Sequence, residues 1–256
     1  MIRFCFQLRP PEELTEKALE YWYFLTDGWY WIEAGEQELF RWTDTTLAAW
    51  QTEAEGEICE SAPPPARPYA DYYVARFWQD LLQCVRQALL PVPDDIAALL
   101  WDRGSWEMFL QRSAAWAEEP EDDLSRWERR NEALQWWWWR QLDSGHFTAA
   151  PKITLWRQGE QVILDWHHSH NPEFFTASPS GRVVADVSSF RQALLAFDEA
   201  FLTQMAVRIV GRSALEKSHA AEAGLLMNAL THPWEEDWAA IRLALEDVRN
   251  ALGAVQ

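Results

Sequence analysis

The apolar positions of the chain follow two periods. Ile2, Phe4, Phe6 and Leu8 alternate with Arg3, Cys5 and Gln7, and this period of two predicts a strand that Pro10-Pro11 stops. Ile153 and Leu155 alternate with Thr154 and Trp156. Gly159 then supplies a turn, and Val162, Leu164 and Trp166 resume on one face with Ile163 and Asp165 on the other. Residues 152–166 therefore read as a hairpin. Its second half, GEQVILDW at 159–166, echoes GEQELFRW at 35–42. Asp27-Gly28 reads as a tight turn, followed by a hairpin of residues 29–33 and 37–42 around Ala34-Gly35. Two such hairpins, far apart in sequence, are expected to share one sheet. Residues 172–176 and 182–186 predict a further hairpin around Ser178-Pro179-Ser180-Gly181.

Helical spacing fills much of the rest. Residues 12–23 and 47–50 read as short helices. Val74, Phe77, Leu81, Val85 and Leu89 recur at helical intervals until Pro91, with Asp71 as the expected N-cap. Residues 94–101 and 105–117 predict two short helices, the second capped by Ser105. A longer one runs from 124 to 142, with Leu124, Trp127, Leu134 and Trp138 as its face. Phe190, Leu194, Phe197, Phe201 and Met205 form the stripe of a helix opened by Ser188 or Ser189, with Gln192 completing a capping box. Residues 213–230 and 235–252 complete the set. Glu235, Glu236 and Asp237 suit the positive N-terminal end of the last helix.

Helices that interrupt groups of strands, without regular alternation, predict an α+β fold: an antiparallel sheet of hairpins packed against two groups of helices. The polar, acidic, proline-ended stretch 53–68 is the expected linker within what is otherwise one domain.

Composition adds two facts. The chain has 256 residues, enough to bury a sizeable core without disulfides or metal. It also has 18 tryptophans and a net charge of −18. A uniformly acidic field repels nucleic acid and anionic membranes and attracts a basic protein partner. Three cysteines at 5, 59 and 84 form no paired spacing, which fits reduced thiols in a cytoplasm. The N-terminus has no signal-peptide pattern, and no apolar run is long enough to span a membrane.

Candidate chemistry is sparse. No nucleophile elbow, phosphate loop or dinucleotide-binding glycine pattern occurs. Asp165, His167, His168 and His170 are the one cluster of metal-ligand type. In a strand His168 and His170 share a face, but a third ligand such as Glu173 would have to join them, and HxH alone is a weak signal. No cofactor is indicated. Asp27 beside Trp29 and Trp31 has the make-up of a small-ligand wall, although a turn role explains Asp27 equally. Trp136 to Trp139 spread around a helix, so either other elements cover it on several sides or some rings face a partner. Trp156, Arg157 and Trp166 mark the surface of the central hairpin.

The segments FQLRP (6–10), LTDGWYWI (25–32), ELFRW (38–42) and PKITLWRQG (151–159), with the helix after Ser188, resemble an uncharacterised bacterial family. Its members carry an F-x-L-R-P strand, an LTDGWYW hairpin and a P-x-I-x-x-W-R hairpin. The resemblance implies one domain type and transfers no active-site residue. Three functions remain open. The first is a cytoplasmic protein-interaction module of the immunity or antitoxin type that masks a basic toxin or effector. The second is a small-ligand regulatory domain using the tryptophan-rich hairpins. The third is a metal-dependent hydrolase using the histidine cluster.

Overall fold

The computed structural model describes residues 1–15, 21–56, 67–117, 124–142, 150–168, 170–209 and 224–253. Their strands form two antiparallel four-stranded sheets. In the first, β1 (Ile2–Leu8) pairs along the whole of β2 (Asp27–Ala34), from Ile2 opposite Ala34 to Leu8 opposite Gly28. The other edge of β2 is shared end to end by β3 (Gln37–Leu39) and β4 (Ala70–Tyr73). In the second sheet β5 (Gln141–Leu142), β6 (Lys152–Gln158), β7 (Gln161–His167) and β8 (Ser180–Asp186) follow in order. The α+β class and the hairpin sheets match the sequence reading, but the two hairpin regions build separate sheets. β8 takes β7 as its partner, and residues 172–174 form a 3-10 turn, not a strand of their own.

The helices are α1 (Asp44–Gly56), α2 (Val74–Ala88), α3 (Asp94–Trp101), α4 (Arg103–Ala117), α5 (Leu124–Trp138), α6 (Val187–Ile209), α7 (Leu225–Thr231) and α8 (Trp238–Gly253). Helices α2 and α6 each touch strands of both sheets. Phe4, Tyr30, Ile32, Phe77, Phe190 and Phe201 meet Ile153, Leu155, Val162 and Leu164 in one continuous core. The opposite face of the second sheet is covered too. There Trp156 and Ile163 join residues of α3, α4, α5 and α8 in a second buried cluster. Burial on both faces explains why β6 and β7 are nearly continuous apolar runs.

Several local expectations shift. Asp27 and Gly28 begin a strand and form no turn. A Cβ on Gly28 would collide with the carbonyl oxygen of Gln7 and lie 2.8 Å from Leu8 Cα, so glycine there serves close strand approach. Asp71 lies in β4; α2 begins after Tyr73. In place of Asp71, the Thr26 hydroxyl accepts the Ala75 N–H of its first turn (3.2 Å). Ser105 is the third residue of α4, and the Asp102 carboxylate receives its backbone N–H and hydroxyl. Residues 53–56 of the expected linker end α1, while 57–66 lie outside the described residues. Among the described residues no helix is long and apolar enough to cross a membrane.

Candidate functional surface

The LTDGWYW stretch is a structural hub. Leu25 is buried, and the Thr26 hydroxyl donates to the Tyr23 carbonyl (2.6 Å) while capping α2. Asp27 accepts from Nε of Arg9 at 3.1 Å. The same guanidinium reaches both oxygens of Asp71 at 2.9 Å each and lies 4.6 Å from the centre of the Trp29 ring. Burial works against the charge of Arg9, but Asp71 and Asp27 raise its pKa. Burial pushes the Asp71 carboxyl above its usual range, against the pull of Arg9. Tyr30 stacks flat on Phe77 at 4.3 Å, and Trp31 stacks on Tyr69 at 4.2 Å. Arg9 of the FQLRP segment thus closes onto Asp27 of the LTDGWYW segment. Asp27 is committed to an ion pair, Trp29 is buried, and Trp31 is half-covered.

The central hairpin is similarly occupied. Trp156 is buried, and its ring lies near that of Trp101 and under the guanidinium of Arg182 (5.3 Å). Arg182 stacks over Trp101 at 4.6 Å and donates to Asp165 at 2.7 Å; Arg103 reaches the other oxygen of Asp165, also at 2.7 Å. Arg157 donates to the Gly159 carbonyl (2.7 Å) and to Glu160 (2.8 Å), pinning its own turn. Trp166 is buried, gives its indole N–H to the Ser178 carbonyl (3.0 Å), and fills the space that a side chain at Gly181 would need.

The histidines separate. His168 is buried against Phe175 with both ring nitrogens unpartnered, and burial, aided by neighbouring His167, lowers its pKa to about 4. His170 is exposed beyond the end of β7. Among the described residues no group of three or more His, Cys, Asp or Glu is placed to hold a metal ion.

The tryptophan run resolves into two sides of α5. Trp136 and Trp137 are buried with Trp106 and Trp156, and the partly buried Trp238 packs against them. Just beyond the helix, the fully buried Arg140 sits between the rings of Trp136 (5.2 Å) and Trp238 (5.4 Å). Two hydrogen bonds of 2.7 Å hold it to Glu236. The acidic trio therefore divides. Glu236 neutralises a buried cation, and Asp237 caps α8 through the N–H groups of Ala239 and Ala240 at 3.0 Å. Trp139 is half-buried, edge-on to Trp234.

The other side of α5 faces solvent. Leu124 is 69% exposed, Trp127 49% and Trp138 66%. At 100° per residue these three lie within about 60° of one another around the helix axis. Three of the four residues read from the sequence as the packing face are thus the outward stripe; Leu134 is intermediate. The sequence signal for this surface was present but inverted, because tryptophan on both sides leaves the helix without a polar phase. The Arg9–Asp71 and Arg140–Glu236 pairings have no local signal in the sequence, since each is a long-range contact.

Curated proteins and solved structures give no match to the chain. A family model does match, over residues 3–244, and by that match the chain belongs to a family of unknown function, DUF5984.

Proposed function

We propose that the chain is a protein-interaction module whose contact surface is the outward stripe of α5, and that its partner is a basic protein which it masks in the manner of an immunity or antitoxin-type inhibitor. The single observation that carries this reading is the exposure of Leu124, Trp127 and Trp138 on one stripe of one helix. Large aromatic side chains left in water on an otherwise well-filled molecule are the anchors that protein interfaces use. Charge selects the kind of partner. The chain carries −18 overall. An acidic field steers a basic partner and opposes an acidic one. The tryptophans of the two hairpins are occupied in packing and cation–π contacts, so they give this reading no surface. Free thiols at Cys5 and Cys84 fit work in a reducing cytoplasm.

The test is affinity capture from the native host with the wild-type chain and with a Trp127→Ser/Trp138→Ser variant, followed by mass spectrometry. The expected result is a basic protein held by the wild type, released by salt, and lost from the variant. Identical captured sets, or a captured partner that is acidic, would refute the proposal.

A further inference from the structure

A cleft of about 310 Å³ opens between α3, α4 and α8, lined by Ala98, Leu99, Asp102, Ser105, Trp106, Phe109 and Arg249. Its size is at the lower end of small-molecule sites. The floor is apolar, and Trp106 and Phe109 stack there at 5.0 Å with their planes 17° apart. Two charges of opposite sign line it, from different elements: Asp102 before α4 and Arg249 on α8. Arg249 makes no hydrogen bond or ion pair among the described residues, and its guanidinium carries a fork of donors that matches a carboxylate. The Asp102 carboxylate accepts the backbone N–H and hydroxyl of Ser105. These contacts fix its orientation and leave further lone pairs to accept a cation. Its pKa is held down, first by the Ser105 hydroxyl, so it stays ionised at neutral pH.

We propose that this cleft binds a free α-amino acid with an apolar or aromatic side chain. The ligand carboxylate meets Arg249, its ammonium meets Asp102, and its side chain lies on Leu99, Trp106 and Phe109. A purely anionic ligand would face the charge of Asp102, and a purely cationic one that of Arg249. A zwitterion with an apolar body satisfies both charges and the floor. The site is separate from the outward stripe of α5, so either proposal can fail alone.

The test is calorimetric titration of the full chain with L-phenylalanine, L-leucine and L-tryptophan. Phenethylamine lacks the carboxylate, 3-phenylpropionate lacks the amine, and L-serine lacks the apolar body. The expected result is saturable binding of at least one of the three amino acids. Loss of either charge is expected to weaken binding by roughly tenfold or more, the effect of one charge-assisted hydrogen bond. Arg249→Gln and Asp102→Asn should weaken it equally; the asparagine keeps an acceptor for Ser105, and circular dichroism confirms that both variants fold. Three outcomes would each overturn the proposal: no saturable heat with any of the three amino acids, 3-phenylpropionate or phenethylamine binding as well as phenylalanine, or folded variants that bind as the wild type does.

Discussion

Arg140 and Glu236, ninety-six residues apart, form a two-hydrogen-bond ion pair in which the arginine side chain has no exposure and the glutamate almost none. Its guanidinium lies between two indoles and also donates to the Trp136 carbonyl at 2.6 Å. The pair links the end of α5 to the entry of α8. Removing one partner leaves a charge stranded in the core, whereas removing both leaves an apolar space. Glu236→Gln is therefore expected to lower stability by about 3 kcal/mol or more. Arg140→Met/Glu236→Leu is expected to cost less than that single change. Urea denaturation of the two variants checks this; a double variant as damaged as the single one would contradict it.

Gly28 sits in β2 where the backbone of β1 leaves no room for a side chain. Its missing side chain lets the Gln7 carbonyl and Leu8 Cα approach, and both neighbours are backbone, which cannot rotate aside. Gly28→Ala is expected to destabilise the chain by about 2 kcal/mol, the usual scale of overpacking. Arg9 and Asp27 flank this contact, so the same variant should loosen their ion pair. Amide hydrogen exchange along β1 and β2 gives the local readout: protection there should fall more than in β6 and β7.

His168 predicts an acid sensitivity whose sign follows from burial. Its folded pKa of about 4 lies below the ordinary value of 6.5, so the unfolded chain binds the proton more readily. Stability therefore falls as pH drops through 6.5 and stops falling from this source below about pH 4. The full effect is of the order of 3 kcal/mol. Because carboxylates titrate in the same range, the useful measurement is a difference. The loss of stability between pH 7 and pH 4 should be smaller in His168→Leu than in the wild type, and parallel curves would rule out a buried neutral histidine.

What could be read in advance, and what could not, divides along physical lines. The β6–β7 hairpin and the α6 stripe were legible because period and turn chemistry agree: Gly159 takes a positive φ of 54°, and Phe190 to Met205 all point inward. Asp27-Gly28 misled because the dipeptide that suits a turn also suits a strand where another backbone crosses closely. Asp71 misled for a related reason: a good capping residue was taken by Arg9, sixty-two positions away, and Thr26 capped the helix instead. No local pattern carries such pairs. The division of the hairpins into two sheets was equally hidden, since the pairing of strands distant in sequence leaves no local pattern.

Helix α5 offers the sharpest contrast between structural and surface tryptophan. Trp136 and Trp137 pack among Trp106, Trp156 and Trp238, with ring centres 5.0 to 6.3 Å apart. Truncating either to alanine opens a large void in the second buried cluster and should cost about 3–5 kcal/mol. Trp127 has 49% and Trp138 66% of its surface in water, so the same truncation should change stability by only about 0.5 kcal/mol. If Trp127→Ala or Trp138→Ala unfolds the chain as readily as Trp136→Ala, the outward stripe is part of the fold and cannot serve a partner. If stability is kept, any loss of partner binding in these variants can be read as loss of contact alone. Thermal denaturation of the four single variants distinguishes these cases before any partner is identified.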